Sequence, residues 1–128
     1  MNSSRPFSTK DCDNYNDWPY PITNVNTLPK YARDHAGPNG SHLVDNFRSR
    51  EIHFAVAEND NGAGVKNCAA RAQGPNRIAR ASEWIIAQGN SSQGWPSRHT
   101  VDYMPGISHQ DYPAMAYYYS LKHIFGGA

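Results

Sequence analysis

"GPNRIARASEWIIAQG", residues 74–89, is the best-organised apolar run in a chain otherwise rich in Asn, Ser, Gly and Pro. It carries Arg77, Arg80, one acid and a tryptophan beside paired isoleucines. Two structures fit it. The alanines and the stop at Gly89 suit a helix, with "VKNCAARAQG" (65–74) as a shorter helix also ended by a glycine. Ile78 and then Trp84, Ile85 and Ile86 equally suit two strands joined near Ala81 and Ser82. At this stage the segment is either a helix that packs or a strand that holds an arginine out to a substrate.

Upstream lies a clearer signal. In "REIHFAVAE" (50–58), Ile52, Phe54 and Val56 share one face at period two, and Glu51, His53, Ala55 and Ala57 share the other. This predicts a strand whose non-core face presents a carboxylate and an imidazole two residues apart. "NDNGAG" (59–64) ends it as a loop. Before it, "TLPKYARDHAG" (27–37) predicts a short helix with Thr27 as N-cap and Gly37 as stop, and "GPNG" (37–40) a turn. Residues 1–26 have no periodic pattern and predict an extended arm anchored by Trp18 and Tyr20. The end, "DYPAMAYYYSLKHIFGG" (111–127), predicts a helix or strand of packed tyrosines.

With 128 residues the chain is expected to form a single domain, 1–128: the arm, a core over 27–103 and an extension over 104–128. Aromatics at 12% and a net charge of +1 argue for a packed fold rather than disorder. The charge is uneven. Lys66, Arg71, Arg77, Arg80 and Arg98 fall close together beside a single acid, Glu83, and Trp84 and Trp95 are interleaved with them. That pattern suits a polyanion, and a solvated surface face equally. Cys12 and Cys68 allow one disulfide, worth on the order of 4 kcal/mol in the chain-entropy model. Their spacing does not suit a zinc site. No apolar run is long enough for a membrane span. The polar, loop-rich composition suggests a secreted or exported protein, and since no apolar signal core opens the chain the signal segment is expected to lie outside this sequence.

Phosphate-loop, dinucleotide and zinc-protease motifs are absent from the sequence. Dispersed Glu, His and Arg remain, the inventory of metal-free acid–base cleavage of a phosphodiester. "LP…Y" (28–31), "NFRSREIHFAV" (46–56), "GPNRIARASEWII" (74–86) and "SRHTVDY" (97–103) together resemble the small microbial guanyl-preferring ribonucleases, the barnase-like group. The resemblance implies an α+β fold, with one or more short N-terminal helices packed on a twisted antiparallel sheet. It also implies an endoribonuclease cleaving single-stranded RNA by transphosphorylation without cofactor or metal. Glu51 would be the general base, Arg77 the phosphate clamp and His99 the general acid, with Arg80 and Arg98 binding substrate. Glu58 is an alternative base and His42 the matching second imidazole. Such an enzyme, if a toxin, would meet an acidic inhibitor or immunity protein, with the chain a monomer and no membrane involved.

Plainer roles exist for the same residues. Arg77 suits an ion pair with Glu83 or another carboxylate, Glu51 suits a cross-strand pair, and His99 suits a surface position. A second enzymatic reading makes Cys68 a papain-like nucleophile with His99 as base and Asp102 orienting it. A third reading is a secreted, non-enzymatic binding module for carbohydrate or a host protein. There Tyr103, Tyr112, Tyr117, Tyr118, Tyr119 and Trp95 would offer stacking surfaces.

Overall fold

A computed structural model describes residues 7–17 and 24–126. The expected anchors of the arm, Trp18 and Tyr20, lie outside the described residues.

The opening stretch is a helix. Asn76 caps it, its side-chain oxygen accepting from the Ala79 amide at 2.9 Å, and α4 then runs Arg77–Gly89. The same device starts α3, Cys68–Arg71, where the Asn67 side chain accepts from the Ala70 amide at 2.8 Å. An Asx cap satisfies one of the orphan amides of a helix start and is worth about 1 kcal/mol. Segment 65–89 is thereby two helices, and the strand alternative is set aside.

That outcome decides the sheet. Strand β1, Ile52–Ala57, and strand β2, His99–Met104, pair in parallel, with Ile52 opposite His99 and Ala57 opposite Met104. The expected twisted antiparallel sheet is therefore corrected to two parallel strands. The physical reason is the crossover: a four-turn helix between the strands carries the chain back to the end where β1 began. The expectation of helices and a sheet together, an α+β composition, holds.

Two helices precede β1. A 3₁₀ turn at Val25–Thr27 leads to α1, Lys30–Arg33. Thr27 is not its N-cap: the cap position belongs to Pro29, and the Thr27 hydroxyl instead donates to the Asn24 carbonyl at 2.8 Å. Helix α2, Ser41–Ser49, has no counterpart in the sequence reading. Its signal was Leu43, Val44 and Phe47, apolar at helical spacing behind Gly40. The C-terminal tyrosine segment resolves into α5, Asp111–Met115, and α6, Tyr118–Phe125.

Strand alternation sorts the packing. On one sheet face Phe54 meets Phe47 of α2, Trp84 of α4 and Trp95, and His99 meets Phe47, Phe54 and Trp95, with ring centroids 4.9–6.5 Å apart. On the other face α6 lies over His53, Asp102 and Met104, the Ser120 hydroxyl sitting 3.7 Å from the Met104 sulfur. The Cys12–Cys68 disulfide pins residues 7–17 to the start of α3, and the Phe7 amide adds a bond to the Ala72 carbonyl. No helix among the described residues is long and apolar enough to cross a membrane.

Candidate functional site

In a parallel sheet the strands end on the same side, and the loops that follow them converge there. Here the loop after β1 carries Asp60 and the loop after β2 carries His109. The Asn59 amide donates to the Ile107 carbonyl at 2.9 Å, tying the loops together. His109 Nδ1 then lies 3.0 Å from Asp60 Oδ2. A carboxylate only accepts, so Nδ1 carries the proton and donates, and in the neutral imidazole Nε2 keeps its lone pair. The carboxylate side chain is 14% exposed and the imidazole 67%. A shielded acid thus orients an accessible base.

Arg77 holds the second oxygen of the same carboxylate, Nη1 donating to Asp60 Oδ1 at 3.1 Å. The β1 loop wraps this guanidinium, its Gly62 carbonyl accepting from the Arg77 amide and its Asp60 carbonyl from the Ile78 amide. The glycines of "NDNGAG" make room for it. A Cβ on Gly62 would stand 2.7 Å from Arg77 Nη1, and one on Gly64 would stand 3.0 Å from Nε at a φ of +56°.

A second cluster occupies the α6 face of the sheet, toward the opening end of β1. His53 Nδ1 lies 2.8 Å from the Thr100 hydroxyl, and its Nε2 lies 3.5 Å from Asp102 Oδ2. His123 of α6 brings its own Nε2 to 3.4 Å from the same oxygen and stacks its ring on His53 at 3.6 Å. Burial lowers the His53 pKa below its usual value; His123 adds to the shift and Asp102 opposes it. Among the described residues, His53, Asp102 and His123 are a group whose ligand atoms lie close enough to hold a metal ion. Beside them opens a cleft of about 550 Å³, lined by Glu51, Ser97, Arg98 and Thr100 as well as both imidazoles.

The three residues expected to cleave RNA occupy separate surroundings. Glu51 is exposed ahead of β1 and pairs with Arg98 at 3.6 Å. Arg77 is bound to Asp60, beyond the far end of β1, and six extended residues place these ends about 20 Å apart. His99 is 3% exposed within the aromatic face, its Nε2 3.2 Å from the Phe47 carbonyl and its buried Nδ1 without a hydrogen-bond partner. It is a core residue rather than a surface histidine. Arg80 is spent on backbone carbonyls, donating to Gly74 at 2.8 Å and Val65 at 3.1 Å. Glu58 is exposed just past β1, and His42 is exposed on α2 with its ring against Gly37.

The amidase reading is corrected by the disulfide, which leaves no free thiol at Cys68, and by the burial of His99. Trp95 is also not a stacking surface: its indole donates to the His99 carbonyl at 2.8 Å inside the aromatic cluster. Tyr112 and Tyr118, at 81% and 66% exposure, do face solvent.

Sequence reasoning passed over Asp60, His109 and His123. The signal for the first two was an acid just after one strand and a histidine just after the other. It becomes meaningful only once those strands are parallel neighbours. No protein-family model, curated protein or solved structure matches the chain.

Proposed function

We propose that Asp60 and His109 are the acid–base pair of a hydrolytic acyl-transfer site. His109 Nε2 takes the proton from a hydroxyl nucleophile attacking an ester carbonyl, and Asp60 holds the imidazole in the required tautomer. The observation that carries this is the 3.0 Å bond from exposed His109 to shielded Asp60 at the carboxyl ends of adjacent parallel strands. The chain order, acid before histidine, is also that of α/β-hydrolase triads, an argument by analogy of arrangement. No serine, threonine or cysteine among the described residues bonds to His109 Nε2, and both cysteines are in the disulfide. The nucleophile therefore comes from water or from outside the described residues.

Hydrolysis of a nitrophenyl ester, followed with His109→Ala and Asp60→Asn, tests the pair. Both variants are expected to lose at least tenfold of the rate, with the Asp60→Asn loss recovered in part by Asp60→Glu. Equal rates for the parent chain and His109→Ala would overturn the assignment.

Metal-independent RNA cleavage is a separate proposal, supported by the sequence resemblance, with Glu51 the one of the three expected catalytic residues that lines the cleft. The closeness of Glu51 to Arg98 in one cleft favours it as well. It calls for EDTA-resistant RNA cleavage that Glu51→Gln abolishes; RNA left intact by the parent chain would end it. Export is proposed on the disulfide, which persists in oxidising compartments.

A further inference from the structure

The polar face of the sheet has a feature that the ester-hydrolysis reading does not use. His53 Nε2 is buried and has no hydrogen-bond partner. A buried ring nitrogen without a partner costs free energy, so its persistence calls for a reason. Its other nitrogen is already committed, lying 2.8 Å from the Thr100 hydroxyl. With the Nδ1 proton donated to that oxygen, Nε2 presents a lone pair, the form in which imidazole binds a metal. A hydrogen bond on the far nitrogen is the usual support for such a ligand.

Into the space before that lone pair come a carboxylate oxygen of Asp102 and Nε2 of His123. The oxygen lies 3.5 Å from the first nitrogen and 3.4 Å from the second. Ligands at about 2.0–2.2 Å from a tetrahedral zinc ion lie roughly 3.3–3.5 Å from one another. Both spacings to Asp102 agree with that. All three ligand atoms lie within 4.8 Å of one another. The two rings are stacked in the metal-free chain, so binding requires His123, whose side chain is 37% exposed near the end of α6, to turn out of the stack.

We propose that His53, Asp102 and His123 form a binding site for a divalent transition metal of the zinc type. Two neutral imidazoles and one carboxylate leave the fourth position to water. The cleft lined by Glu51, Ser97 and Arg98 gives that position access to solvent. Such an open three-ligand arrangement is the one found in catalytic rather than closed structural zinc centres. The site is distinct from Asp60 and His109, which lie past the opposite end of β1.

Titration of the oxidised full chain with Co(II), then displacement by Zn(II), tests the site. One equivalent of Co(II) is expected to give the strong visible absorption of a four-coordinate ion. His53→Ala, Asp102→Asn and His123→Ala should each weaken binding at least tenfold, and Thr100→Val about tenfold through the support of His53. His109→Ala, at the other end of the strands, should bind normally. His123 is partly exposed on a terminal helix, so His123→Ala is the variant least able to fail by misfolding, and circular dichroism checks each fold. Absence of one-equivalent binding, or binding unchanged in folded His123→Ala, would overturn the proposal.

Discussion

The two faces of the β1–β2 pair use the same residue type to opposite ends. His99 and His53 lie on adjacent strands, one register step apart, and their side chains point to opposite sides. His99 enters a box of Phe47, Phe54, Trp84 and Trp95, where edge-to-face ring contacts fill its surroundings. Its ring Nε2 bonds to the Phe47 carbonyl near the end of α2. His53 enters a polar layer of Thr100, Asp102 and His123. The comparison shows that strand parity, more than residue identity, separates a structural imidazole from one available for chemistry. A one-residue slip would exchange the two roles.

The sharpest way to break the comparison is to empty the aromatic face. Trp84→Ala removes the ring that touches Phe47, Phe54 and Trp95 and is expected to cost about 3 kcal/mol, measured by urea unfolding. A loss below about 1 kcal/mol would mean that this face is not the core. A smaller effect is expected from Asn76→Ala, which leaves Trp84 in place but removes the cap that starts its helix. The expected cost is about 1 kcal/mol with little change in the unfolding slope.

The smallest effect sharpens the polar face. In metal-free protein the folded state holds His53 below its usual pKa, because burial and His123 outweigh Asp102. Between that lowered value and the usual one near 6.5, the unfolded chain binds more protons at this position. This contribution to stability is therefore complete above the unfolded pKa and is lost as pH falls through the folded one. Unfolding midpoints between pH 7.5 and pH 5 are expected to decline in the parent chain. The decline should be shallower in His53→Gln, and an identical slope would remove His53 from the account.

Much of the local structure was legible. The period-two run at 52–56, the glycine loop behind it and the punctuation at Gly74 and Gly89 each appear where the residues suggested. These are short-range properties: propensity and alternation. The antiparallel expectation came from the resemblance and failed because 74–89, open between helix and strand in the sequence, is a crossover helix, settled by the Asn76 cap and by packing of Trp84 against Phe47 and Phe54. The candidate site was less legible. Asp60 and His109 are 49 residues apart, and no spacing rule connects them.

Taken by itself, the amino-acid order determined the strand at 52–57 and the loop behind it, and that Cys12 and Cys68 allow one disulfide. Which strand ends stand together, and hence which carboxylate meets which imidazole, belonged to the tertiary structure alone. Alternation and capping act over a few residues of backbone, whereas parallel pairing depends on how a whole crossover helix packs. The groups proposed to carry chemistry meet only after that packing is complete.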